Sequence, residues 1–173
     1  WLKVKQFNEE QLELAIIDLF TKQGYIHQKG EELHRKYDEV IIEEDLCRFL
    51  TSKYPGLTNT ELDKIINKIK YITTYPLYSS NRQAFFLINE GFDLSRNDNN
   101  KMPLHIDFID FENPTNNIFK VVNQITVSGT RDRRPDMIIF INGIPMAIFE
   151  FKTAIKEDTT IYDAWEQIHM RYN

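Results

Sequence analysis

A chain of 173 residues with 42% hydrophobic and 13% aromatic side chains can bury a core of its own, so neither disulfides nor a structural metal is needed to hold it together. Its one cysteine, Cys47, excludes an internal disulfide and a cysteine-rich zinc site, and no stretch approaches the roughly 18 apolar residues of a membrane span or the apolar region of a signal peptide. A net charge of −5 argues against holding nucleic acid by charge alone, but it suits acids that bind divalent cations facing a phosphate. A cytoplasmic setting without a membrane partner is the expectation. Trp1 in place of Met, and Asn173 closing a helical pattern with no stop signal, read as a piece of a longer polypeptide.

The first half, about 1–95, reads as helical. Asn8 with Gln11 forms a capping box ahead of Leu12, Ile16, Leu19 and Phe20, predicting a helix over 9–23 that Gly24 ends. A second helix is expected over Glu43 to Lys53, stopped by Pro55. Thr58 with Glu61 caps a third, carrying Leu62, Ile65, Ile66 and Ile69, and Ser80 with Gln83 opens a fourth that ends before Gly91. The run Asn97-Asp98-Asn99-Asn100 is a loop.

From about 102 onward the period changes to that of strands. Leu104 to Phe111 alternates apolar and polar residues, and Ile118 to Val127 is rich in β-branched ones, with 113–117 as their connection. Met137 to Ile141 and Met146 to Lys152 read as two buried central strands around a turn at Asn142-Gly143, and Thr159 to Tyr172 as a closing amphipathic helix. The fold class is therefore α/β, a four-stranded mixed sheet flanked by helices behind a helical N-terminal region.

The chemistry points to Asp136, Glu150 and Lys152. Glu150 and Lys152 are two apart on an expected strand, so both leave one face while Phe149 and Phe151 leave the other. An acid and a base in an apolar strand are costly unless they pair with each other or share a site. A two-residue turn at Asn142-Gly143 would put Asp136 on the face opposite Glu150. A three-residue loop, 141–143, would put it diagonal to Glu150, so an odd-length loop or an equivalent bulge is expected.

Asp136 followed by Glu150 and Lys152 on a hairpin resembles the Pro-Asp, Asp/Glu-x-Lys nucleases, the PD-(D/E)xK superfamily. The surrounding segments Phe119 to Gln124, Arg134 to Met146, Glu150 to Lys152 and Gln167 to Tyr172, with the opening helix ending at Gly24-Tyr25, resemble the N-terminal nuclease domain of the restriction (motor) subunit of type I restriction-modification enzymes. The resemblance implies one nuclease domain over 1–173, its catalytic core at about 102–173, with an ATP-dependent translocase following, so that ATP belongs to the motor alone. It implies a bacterial or archaeal Mg²⁺-dependent endonuclease, with Mn²⁺ as a substitute, that hydrolyses phosphodiesters of double-stranded DNA beside modification and specificity subunits.

Carried over residue by residue, Asp136, Glu150 and the carbonyl of Phe151 would bind the metal, and Lys152 would hold the attacking water and help neutralise the transition state. Gln167 matches a polar helix position near the site. The usual Tyr four residues later is replaced by Arg171, with Tyr172 one position beyond. Glu13, with Glu10 as competitor, is the candidate for an additional acid, and Arg131, Arg133 and Arg134 for grip on the DNA backbone.

The remaining features read as structural. His27, His34, His105 and His169 lack zinc-site spacing, Cys47 lies in an apolar helix stretch, and none of the six glycines builds a phosphate loop. The alternatives to a restriction nuclease are another enzyme of the same superfamily, from repair or a mobile element, and a noncatalytic DNA-binding or docking module on the same fold.

Overall fold

The computed structural model describes residues 8–72, 76–98, 100–129, 132–152 and 161–172. The described residues divide into two compact interleaved units. The first takes 1–40, 119–140 and 145–173, the second 41–118 and 141–144.

The first unit is built on a four-stranded mixed sheet in the order β1 (Ile26–Lys29), β4 (Phe119–Asn123), β5 (Met137–Ile141) and β6 (Ile144–Phe149). β1 lies parallel to β4, pairing His27 with Val121 and Lys29 with Asn123. Helix α1 (Glu9–Lys22) covers one face, with the expected capping box of Asn8 and Gln11 at its start. Leu12, Ile16, Ile17 and Phe20 of α1 pack with Val121, Met137, Ile139 and Phe151. That stripe repeats at three and four residues, so Glu13, one turn before Ile17, shares the sheet-facing side of the helix. The closing helix α5 (Ile161–Tyr172) falls where the sequence pattern put it.

The second unit is mainly helical: α2 (Glu43–Lys53), α3 (Asn59–Lys70) and α4 (Leu77–Glu90), followed by a two-stranded antiparallel ladder of β2 (Phe92–Leu94) and β3 (Leu104–Ile106). Leu46, Phe49, Leu50, Ile65, Ile66, Ile69, Leu87, Ile106 and Phe108 form its core. Thr58 and Glu61 cap α3 as expected. The Glu61 carboxylate, itself buried, also takes Arg96 at 2.8 Å and the Asn97 N–H at 3.1 Å, which ties the loop after β2 to the helix start. α4 begins four residues earlier than a cap at Ser80 suggests, behind Pro76.

Three expectations of the sheet need correction. The fourth strand of the main sheet is β1, not 104–111, because Leu104–Ile106 pairs with β2 instead. Two strands thus lie in the half read as helical. β6 is an edge strand and largely exposed rather than central. Pro145, which cannot donate to a ladder, fits an edge, whereas β5 is the buried partner. Finally, β5 and β6 are joined by a two-residue turn with Asn142 at φ 51° and Gly143 at φ 77°, both left-handed as a type I′ hairpin requires, in place of the odd-length loop.

Candidate active site

The pleat of β4 fixes the polar residues of the site. Val121 faces α1, so Asn123, two residues on, faces it as well, and the parallel register places His27 and Lys29 on the same side. Asn123 Nδ2 donates to Glu13 Oε1 at 2.7 Å, and His27 Nε2 lies 3.0 Å from Asn123 Oδ1. Gln124, just past the strand, donates from Nε2 to the other oxygen of Glu13 at 3.1 Å. Its main-chain N–H donates to the carbonyl of Asp136 at 2.9 Å.

Asp136 precedes β5 and Glu150 follows β6, so the pleat does not assign their faces, and β6 ends three residues short of Lys152. What joins them is a main-chain contact. The peptide linking Glu150 to Phe151 donates its N–H to Asp136 Oδ2 at 2.7 Å. Burial pushes the Asp136 carboxyl above its usual range. The Phe151 N–H and the charge of Lys152 pull it down, and the charges of Glu13 and Glu9 push it up.

These residues open onto a cleft of about 560 Å³ whose lining includes Glu9, Glu10, Glu13, Asn123, Gln124 and Asp136, together with Arg134 and Phe151. Of the residues singled out in the sequence, the structure gathers Glu13, Glu10, Asp136, Arg134 and Phe151 here. Lys152 is close enough to act on the Asp136 charge, and Glu150 adjoins through its peptide while half-buried. Arg133 is engaged through its backbone in a bridge to Val127. Arg131 lies outside the described residues, and so do the side chains of Gln167, Arg171 and Tyr172 on α5.

Asn123 and Gln124 were not singled out as site residues. Nothing in their spacing announces the role, since it depends on which strand lies under Glu13. Among the described residues no three His, Cys, Asp or Glu side chains are gathered tightly enough to ligate a metal by themselves. The expected set of two carboxylates and one carbonyl is of a different kind. It suits Mg²⁺, which takes hard oxygens and keeps several of its waters.

A mixed sheet flanked by helices, with acids converging beyond its strand ends, is an α/β architecture compatible with a nuclease-like fold. A family model described as "Type I restriction enzyme R protein N terminus (HSDR_N)" matches residues 6–173, and the chain belongs to that family. The chain is 34% identical over 174 residues to a putative type I restriction enzyme MjaIXP endonuclease subunit of Methanocaldococcus jannaschii, an alignment covering 92% of this chain and 16% of that protein. It is 23% identical over 171 residues to the type I restriction enzyme HindI endonuclease subunit of Haemophilus influenzae, again covering 92% of this chain and 16% of the relative. The chain thus spans about one sixth of the length of these relatives.

Proposed function

We propose that this chain is the DNA-cleaving domain of a type I restriction subunit, a Mg²⁺-dependent endonuclease acting on double-stranded DNA beside modification and specificity subunits, with an ATP-driven translocase elsewhere in the polypeptide. The observation that carries the reading is the cleft. Asp136 is half-buried among like charges and fixed by the peptide that follows Glu150. A carboxylate in that setting gains from a cation, because a cation relieves both the burial and the repulsion. The residues therefore fit the metal, with Asp136, Glu150 and the Phe151 carbonyl as protein ligands and Glu13 as an additional acid.

A bound divalent ion there would supply charge neutralisation for the phosphate and a more acidic water. The Phe151 N–H holds Asp136 Oδ2, which fixes the rotamer of the carboxylate and leaves Oδ1 to meet a ligand. The Lys152 ammonium, close enough to act on the Asp136 charge, donates an N–H to the oxygen of the attacking water, which orients it, and stabilises the charge that builds on the phosphate oxygens. Water oxygen bonds to phosphorus as it loses a proton to solvent, the opposite P–O ester bond breaks, and the leaving oxygen takes up a proton from solvent. Arg134, exposed and lining the cleft, meets the DNA backbone.

Plasmid cleavage by the full-length subunit assembled with its partners tests this reading. Glu150→Ala is expected to abolish cleavage with assembly intact, and cleavage at the wild-type rate would contradict the assignment.

A further inference from the structure

We propose that Gln124 is the positioning residue of the acid cleft, holding Glu13 through its side chain and Asp136 through its main chain, so that one residue sets the relative place of two carboxylates carried by different elements. The inference rests on the reading of the cleft as a cation site and goes beyond it in naming what fixes the acids.

The backbone of Gln124 provides the first argument. Its φ of 55° lies in the left-handed region that glycine and asparagine enter readily and glutamine does not, a conformation that costs free energy and persists where surrounding structure demands it. Two hydrogen bonds do the demanding. Nε2 reaches Glu13 Oε2 at 3.1 Å, and N–H reaches the Asp136 carbonyl at 2.9 Å. An extended backbone at 124 would carry the side chain away from α1 while the ladder to β5 continued.

The bend is also seated from behind. A Cβ on Gly30 would stand 2.5 Å from Ile125 Cα and 2.6 Å from the Gln124 carbonyl oxygen, so the chain leaving β1 lies directly against the bend. Glu13 is meanwhile held at both oxygens, Oε1 by Asn123 and Oε2 by Gln124. One donor on each oxygen orients the carboxylate without exhausting its acceptor capacity. That is the condition for a ligand held by its surroundings, and different from that of a carboxylate consumed in an ion pair.

A merely structural residue and a positioning residue predict different outcomes on removal of the side chain. Gln124→Gly relieves the left-handed strain and keeps the main-chain bond to Asp136, while it deletes the hold on Glu13. Mn²⁺ titration by calorimetry and urea denaturation are measured on wild type, Gln124→Gly, Glu13→Gln, the double variant and Asp136→Ala. The expected result is a Gln124→Gly urea midpoint no lower than wild type together with Mn²⁺ affinity weaker by about tenfold or more. In the Glu13→Gln background Gln124→Gly should cost no further affinity, since it acts through Glu13. Gln124→Asn, which tolerates the left-handed backbone but is one methylene too short, should reproduce the affinity loss, so that the test survives poor folding of the glycine variant.

Wild-type Mn²⁺ affinity in Gln124→Gly and Gln124→Asn, with binding lost in Asp136→Ala, overturns the positioning role and leaves the cation site standing. A full additional loss in the Glu13→Gln background overturns the action through Glu13. Unchanged affinity in Asp136→Ala overturns the cation site and the positioning role with it.

Discussion

Gly30→Ala is the smallest change that the structure marks as damaging to the cleft. A new Cβ would meet Ile125 Cα at 2.5 Å, the Gln124 carbonyl oxygen at 2.6 Å and the Ile125 nitrogen at 2.8 Å, all of them main-chain atoms that cannot rotate aside. Comfortable carbon–carbon contact begins near 3.5 Å, so β1 and the 124–125 bend must separate by about 1 Å. Overpacking of this kind costs about 1–3 kcal/mol. The displacement also carries Gln124 off Glu13 and Asp136, and a misplacement of that size in a catalytic constellation costs about 100-fold in rate. Gly24→Ala is the control. Gly24, unlike Gly30, has a left-handed φ, 94°, but its Cβ would meet nothing within 4 Å, so only backbone strain of about 1 kcal/mol applies and the cleft stays intact. Urea midpoints and Mn²⁺ affinities of the two variants decide the matter. Equal stability and equal affinity in Gly30→Ala and wild type would refute the close approach and the seating of the bend.

Further outcomes follow from the same geometry. Lys152→Ala should retain Mn²⁺ binding while cleavage by the assembled enzyme falls by about 100-fold or more, whereas Asp136→Ala should lose both, as calorimetry and plasmid cleavage will show. In the second unit, the Thr58 N–H and the Arg96 guanidinium hold the Glu61 carboxyl well down, at about 2. Because its folded value is depressed, Glu61 contributes stability that is complete above about 4.5 and is lost as the pH falls toward about 2, and Glu61→Gln should flatten that limb of the urea-midpoint profile. Asn142, fully buried, accepts from the Ile118 N–H at 2.8 Å and donates to the Phe108 carbonyl at 2.9 Å and Asn117 Oδ1 at 2.8 Å, all from a left-handed backbone. Asn142→Ala should cost at least about 2 kcal/mol in urea denaturation, since it orphans buried groups and keeps the strain.

The helices were legible where caps and apolar period agree. Glu43–Lys53 falls on its expected bounds, and the Asn8 and Thr58 capping boxes start α1 and α3 as read. The start of α4 is not legible because Ser80 and Gln83 match a capping box inside the helix, whereas Pro76 takes the N-cap position with no side-chain bond. β1 and β2 were invisible since Ile26-His-Gln-Lys29 and Phe92-Asp-Leu94 are too short to show a period and stand in no longer alternating run. Of the strand expected over Leu104 to Phe111 only Leu104–Ile106 forms, and its partner depends on β2, which no local pattern names. An odd-length loop at Asn142-Gly143 is needed only if the strand pleat has to bring Asp136 and Glu150 to one face. That need does not arise, because both lie beyond the strand ends, where the Phe151 N–H links them. Asp136, Glu150 and Lys152 stood out as charges in apolar sequence. Asn123 and Gln124 did not, because a carboxamide at a strand end is unremarkable until Glu13 is seen above it.

Mn²⁺ binding by calorimetry, competed with Mg²⁺, in wild type, Asp136→Ala and Glu150→Ala tests the cation site at these two acids. If Asp136 and Glu150 hold a divalent cation, wild type binds Mn²⁺ at a site from which Mg²⁺ displaces it and which both substitutions remove. Equal binding in all three proteins, or none in wild type, would contradict it.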